Sequence, residues 1–522
     1  MHLKGKVKYY AGKFSGQDEE VCRQEIDNAH AAAWMEEHIP LLDCPDPVIE
    51  EIYYFRWWVY RKHIKRTPEG YIITEFLPEV PWSGAYNAIS CAAGHHLMEG
   101  RWLRGGEKYL RDYCIYWFKG SGRKYELEYS NWLIHAVYRF CRTTGVHSLA
   151  ADLFPCMEES YEKWKAKNMH KCGLFWSSDD RDGMEYSAGG SGLRLTLNSY
   201  MTAAAYALFH MAKWTGDHFA QEKYLEEAEQ LWGRIQTLLW QPDLNFYRGI
   251  QAESRDADLG SFTEMDEISG YLPWYFALPY LFEGNTQAEK MGRSFSCLLD
   301  SACFYAPYGP RTCSPYPGYL EKTVNHPCLW NGYSWPFSTS QTLTAAAEYL
   351  QKCREDRRDT GFGKKGYTDL LRLYADSHYR LNKDGQKICW IDENLHPETG
   401  EWEARSFLKE RGFPKEAGGY ERGKDYNHST FCDLLISGTA GIHMYEERKL
   451  IISPLLDEDW NYFKLTDVPA GGHLVSIQYD KNGQRYGGPS GFQISVDGNV
   501  QARFENVPES VTLPIQKKNK QL

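Results

Sequence analysis

No stretch of the 522-residue chain approaches the roughly 18 consecutive apolar residues of a membrane-spanning helix, so no membrane span is expected. Positive charge is also in short supply. Lys and Arg number 59 against 70 Asp and Glu, a net of −11. Binding to nucleic acid or to an anionic bilayer needs a basic footprint, so neither is an expected partner. The 14 cysteines contain no Cys-x-x-Cys pair and no zinc-type Cys/His spacing. Several stand among apolar residues, as in Phe140-Cys141 and Phe431-Cys432, and read as buried free thiols of a reducing compartment. Phosphate-loop and His-Glu-x-x-His motifs are absent, and Gly189-Gly190-Ser191-Gly192 lacks the strand-then-helix context of a nucleotide loop. The first residues, Met1 to Lys8, carry charge with no apolar stretch behind them, unlike a secretion signal. A cytoplasmic location is the expectation, or a periplasmic or secreted one where a leader has been removed.

What the chain has in quantity is aromatic side chains. It holds 18 Trp, 37 Tyr and 23 Phe, or 15% of all residues, within an apolar share of 42% that suffices for a core. A large aromatic core is one use for them. Flat platforms for sugars are the other, because a sugar ring has an apolar C–H face edged by hydroxyls.

The middle of the chain reads as helices. Met201, Ala204, Ala205, Leu208, Phe209 and Ala212 make an amphipathic stripe, with Asn198 or Ser199 as its cap and Gly216 as its end. Similar units run from Ser130 to Gly145 and from Ser340 through Leu350, and further helices are expected around 20–38, 84–118, 156–168, 218–240 and 365–381. Long loops rich in Gly, Trp, Asp, Glu and Tyr lie between them. Helix hairpins joined by functional loops suggest a mainly α fold, an (α/α)6 toroid with its loops on one face. After about residue 450 the pattern alternates, with turns at Asp480-Lys481-Asn482-Gly483 and Asp497-Gly498-Asn499, and predicts a small C-terminal antiparallel β module. The expected organisation is an N-terminal extension over 1–19, the helical domain over 20–447, the β module over 448–513 and a polar tail over 514–522. A homo-oligomer is left open.

Chemistry concentrates in two acidic loops beside Trp. The first runs from Trp176 to Ser187 and holds Asp179, Asp180, Asp182 and Glu185 around Arg181. The second runs from Trp390 to Trp402 and holds Asp392, Glu393, Glu398 and Glu401. Each could be a solvated surface loop. Each could also present a carboxyl whose proton affinity the aromatic surroundings tune for acid or base work. A binding surface is expected from Trp82, Tyr86, Glu99, Arg101, Trp176, Asp266, Glu267, Trp274, Trp330, Asn331, Trp335 and His428, all in or beside Gly-broken loops. The paired His95 and His96 read as core or hydrogen-bonding residues rather than metal ligands.

The order of these segments resembles the six-hairpin glycosidases, and within them the glycoside hydrolase family 63-like group that includes mannosylglycerate hydrolase. The resemblance covers residues 50–445. Gly183-Met184-Glu185-Tyr186-Ser187 is similar to the family's acid motif Gly-Met-Asp-Asn-Ser, with Glu in place of Asp, which leaves Asp182 a rival acid. Glu393-Asn394-Leu395-His396-Pro397-Glu398-Thr399-Gly400 resembles its base motif. Trp330-Asn331-Gly332-Tyr333-Ser334-Trp335-Pro336 resembles its pocket loop, with Asn331 in place of Arg. The resemblance implies glycosidic cleavage with inversion, Glu185 as general acid and Glu393 as general base, a carbohydrate substrate, and no metal or organic cofactor. Two other classes remain: a carbohydrate-binding toroid without catalysis, and a polysaccharide lyase on the same fold.

Overall fold

Two glycines close two of the expected helices. Gly145 and Gly216 take left-handed φ angles of 81° and 76° at the ends of Leu133–Thr144 and Leu195–Thr215, a conformation that costs glycine nothing. The computed structural model describes residues 3–321, 325–353, 361–415, 418–445 and 449–515. The expected polar tail at Lys517–Lys520 lies outside them.

The fold is mainly α with small antiparallel sheets towards the C-terminus. Neighbouring helices follow one another in space. Ser90–Gly100 packs on Leu133–Thr144, and that on Leu195–Thr215, which also pairs with His218–Leu238. Leu195–Thr215 meets the short helix Leu272–Tyr275, which meets Pro336–Lys352. Lys364–Asp376 comes next and touches Pro47–Lys62. The expected cap of Leu195–Thr215 is displaced: the helix starts at Leu195, and Asn198 instead exchanges hydrogen bonds with the Phe175 backbone at 2.8 and 2.9 Å. This bond ties the helix to the acidic loop before it.

Two of the longer helices, and several short ones, fall outside the expected ranges. Pro47–Lys62 is buried on nearly every side, so it shows no amphipathic stripe, although Asp46 caps it through the Val48 and Ile49 amides. Leu3–Ser15 lies within the expected extension; Val7, Tyr10, Ala11 and Phe14 bury one face of it against Pro47–Lys62.

The β layer draws on more than the C-terminal residues. The five-stranded sheet runs in the order Leu41–Asp43, Tyr462–Ala470, His473–Asp480, Gly491–Val496, Asn499–Phe504. A second sheet joins Ile442–Tyr445, Lys449–Ile452 and Val511–Pro514. Val496 pairs with Asn499 across Asp497-Gly498, both with positive φ, as a two-residue hairpin requires. The other expected turn falls inside a longer loop whose Arg485 and Tyr486 reach Asp43 at 2.9 Å each, fixing the first strand to the sheet. Among the described residues no helix is long and apolar enough to cross a membrane.

Candidate active site

Three loops spread over more than 200 residues of sequence are laced together by backbone. Ser187 bridges Trp330, and Ser334 exchanges hydrogen bonds with Leu395 at 2.8 and 2.9 Å. The acidic loop, the Trp330–Trp335 loop and the Glu393 loop therefore form one surface. A cavity of about 310 Å³ opens on the first two; Glu393 is not on its wall and adjoins it through Cys328 and Arg422, which are. Its wall includes Trp82, Glu185, Trp330, Trp335 and His428 from the expected set, and Glu75, Cys328, Arg422 and Tyr426, which were not expected.

The Glu185 side is built on Arg194. This buried guanidinium meets Asp179 at 2.6 Å, Asp182 at 2.9 Å and the Met184 carbonyl at 3.1 Å, so it fixes the bend that presents the next residue. Burial opposes its charge, but Asp182, Glu267 and Asp179 hold it firmly cationic. Asp182 also accepts from Thr196 and Ser177 at 2.7 and 3.0 Å. It is fully used as an anchor and does not reach the cavity. Glu185 has no such cation. Burial, then the charges of Asp182, Asp179 and Glu393, push its carboxyl up to about 7.

The Glu393 side is the opposite case. Its carboxylate is fully enclosed. Arg422 donates to Oε1 at 2.8 Å and to Oε2 at 3.2 Å, and the Cys328 thiol donates to Oε2 at 2.8 Å. Burial alone would favour the neutral form, but the Arg422 charge and these hydrogen bonds hold Glu393 below the ordinary carboxylate value. Arg422 stacks over Trp82, 4.6 Å from the ring centre. Beside it, burial and the Glu393 charge push Asp392 up to about 7.

The aromatic wall has a definite geometry. Trp330 and Trp335 stack at 4.3 Å, 7° from parallel, and His428 packs edge-on to Trp335 and 3.7 Å from the Tyr426 ring.

Other expected binding residues serve structure, for identifiable reasons. Glu99 accepts from the amides of Phe431, Cys432 and Asp433 at 2.8–3.0 Å and so caps the helical segment Leu434–Thr439. Arg101 pairs with Asp433 at 2.7 Å in the core. Trp274 is buried among Tyr280, Phe295 and Tyr349. Asp266 holds Arg248 at 2.6 Å, and Glu267 accepts from the Gly189 amide at 3.1 Å, behind the acidic loop. Trp176 donates to the Ala252 carbonyl, Tyr86 to Glu69, and Asn331 to the Glu321 carbonyl, each outside the cavity wall. His96 bonds Tyr113 and the Asn427 carbonyl, as a hydrogen-bonding residue should. Among the described residues no cluster of three His, Cys, Asp or Glu side chains could hold a metal.

Of the residues missed, Glu75 had a readable signal, a carboxyl in the apolar extended run Ile72-Ile73-Thr74-Glu75-Phe76. Arg422 had none: Glu421-Arg422-Gly423-Lys424-Asp425 reads as solvated charge.

The helical scaffold therefore holds Glu185 on a Trp-walled cavity and the differently tuned Glu393 enclosed beside it. The sequence model of the mannosylglycerate hydrolase MGH1-like glycoside hydrolase domain matches residues 85–429, and the chain belongs to this glycoside hydrolase family. Among solved structures, a protein named sialidase is 34% identical over 99% of this chain, with a TM-score of 0.86. A GH78 family rhamnosidase of Bacillus sp. GL1 is 14% identical over 84% of the chain, with a TM-score of 0.51, a likeness of fold alone. The chain spans 45% of the sialidase and 40% of the rhamnosidase.

Proposed function

We propose that the chain hydrolyses an O-glycosidic bond of an oligosaccharide or small glycoside with inversion, Glu185 serving as general acid and Glu393 as general base. One observation carries this reading: Glu185 on the cavity wall and Glu393, enclosed behind the wall residues Cys328 and Arg422, are driven to opposite protonation states, Glu185 towards the acid and Glu393 towards the carboxylate. Glu185 gives its proton to the glycosidic oxygen as the bond to the anomeric carbon breaks. Glu393 takes a proton from the water that attacks that carbon from the opposite face. Arg422 and Cys328 stand on the cavity wall and bond Glu393. Trp330 and Trp335 offer a flat wall for the apolar face of the sugar. Asp182 is the anchor of the acid loop rather than the acid.

The succession of neighbouring helices supports the (α/α)6 toroid, with residues 20–447 as its catalytic domain. We read residues 1–19 as an extension and 448–513 as an accessory β module that the strand Leu41–Asp43 joins.

One observation favours a second reading. The Cys328 thiol donates to Glu393, the relation of a nucleophile to its base. A thiolate so formed would attack the anomeric carbon and give retention. Burial and the Glu393 charge hold this thiol protonated, which places inversion first.

A panel of 4-nitrophenyl α- and β-glycosides of hexoses, pentoses, deoxyhexoses and sialic acid tests the reading. Proton NMR of the first-formed product, before mutarotation, should show inverted configuration. Retention moves the assignment to a covalent intermediate. Sugar-dependent thermal stabilisation without turnover is the result a binding toroid gives. An unsaturated product absorbing in the near ultraviolet identifies a lyase.

A further inference from the structure

Glu75 stands at the cavity with no part in the acid–base pair. It follows the hairpin of Ile64–Thr67 and Gly70–Ile73, and lies outside the residues matched by the family model. Asn427 fixes its backbone twice, donating its amide to the Glu75 carbonyl at 3.0 Å and its side chain to the Thr74 carbonyl at 3.2 Å. Glu75 and Tyr426 are thereby built into one wall.

The company of the Glu75 carboxyl decides its chemistry. The Tyr426 phenol donates to Oε1, and the Cys91 thiol lies 3.9 Å from Oε2. The other charged groups that act on it are Glu185 and Glu393, both carboxyls. Of the guanidiniums on the same wall, Arg422 is committed to Glu393, and Arg181 lies 3.8 Å from Asp180. A buried carboxyl with a phenol, a thiol and two acids around it is stable as the neutral acid. Burial, opposed by the Tyr426 bond and reinforced by the Glu185 and Glu393 charges, pushes it up to about 8. Its O–H is then a donor at the cavity. Trp330 lines the same cavity. Buried donors that find no acceptor in the protein are costly unless a ligand supplies one. A polyhydroxy ring does so, since each hydroxyl accepts and donates.

We propose that Glu75 positions the substrate as a neutral carboxylic acid, donating its O–H to one hydroxyl of the sugar held against Trp330 and Trp335. The proposal rests on the glycosidase reading. It adds that the site selects a sugar by one hydroxyl facing Glu75.

The test uses the full chain and the 4-nitrophenyl glycoside that it cleaves, together with the 2-, 3-, 4- and 6-deoxy analogues of that glycoside. For the intact enzyme, one analogue should lose about 10–100-fold in kcat/KM, the worth of a hydrogen bond to a buried acid. Glu75→Ala should lose a similar factor on the parent glycoside and almost nothing more on that one analogue. Glu75→Gln cannot ionise but keeps a donor and an acceptor, and should recover most of the loss, with circular dichroism confirming its fold. Two results overturn the proposal: equal sensitivity of Glu75→Ala to every deoxy position, or a Glu75→Gln variant as inactive as Glu393→Gln, which would make ionised Glu75 essential. The glycosidase reading fails differently, through full activity of both Glu185→Gln and Glu393→Gln or through cleavage of no glycoside in the panel. The last result overturns both.

Discussion

Glu185 on the cavity wall and Glu393 enclosed beside it are the same residue in two loops, and their surroundings drive them apart. The Glu393 loop brings a cation to its carboxylate: Arg422 meets both oxygens, and Cys328 adds a third donor. The Glu185 loop also contains a cation, Arg194, but spends it on Asp179 and Asp182. Glu185 is left beside negative charge in a buried place, and its proton is retained near neutrality. A carboxyl's task is set here by where the nearest guanidinium points, not by the residue type.

The contrast can be broken from either side. Glu393→Gln removes the only ionised carboxylate of the pair and should cost about 10³–10⁴-fold in kcat, whatever the leaving group, as measured by steady-state kinetics. Glu185→Gln should cost about 10²–10³-fold on an alkyl glycoside. A 4-nitrophenyl leaving group needs little protonation and should restore much of that loss. Equal rescue of both variants would erase the distinction between the loops. Asp182→Asn should act on the scaffold. It weakens a charged hydrogen-bond set and should lower stability by about 2 kcal/mol in denaturant unfolding, with a smaller kinetic defect than Glu185→Gln. A kinetic loss as deep as that of Glu185→Gln without loss of stability would return Asp182 to the role of acid. The smallest effect concerns Glu75. A carboxyl raised in the fold stabilises below its ordinary value near 4.5, and that stability fades as pH rises through about 8. Glu75→Gln should therefore narrow the gap in Tm between pH 4.5 and pH 8.5 by a few degrees in thermal scans.

Local signals were readable where one residue carries the cause. Gly145 and Gly216 end helices because only glycine takes their φ freely, and Asp497-Gly498 closes a hairpin for the same reason. The three loops around the cavity were visible as carboxyls and Trp in Gly-broken segments. Pro47–Lys62 was hidden because burial on all sides erases the stripe that periodicity depends on. Glu99 and Arg101 read as binding residues because a charge near aromatics looks alike in sequence whether it faces a cavity or, as here, caps backbone amides and pairs with Asp433. Arg422 needed the fold itself, because it acts on Glu393 far away in sequence; Glu75 was readable as a carboxyl in an apolar run, but its partner Tyr426 was not.

The pH dependence of kcat/KM for the intact enzyme and for Glu185→Gln, on one alkyl glycoside whose leaving group needs protonation, tests the account most directly. Protonated Glu185 should be lost as pH rises through about 7, giving the intact enzyme an alkaline limb there. Ionised Glu393 should be lost only below the ordinary carboxylate value, giving an acidic limb below about 4.5. In Glu185→Gln the alkaline limb near 7 should vanish while the acidic limb stays. An alkaline limb near 7 that persists unchanged in Glu185→Gln would contradict the assignment of the acid.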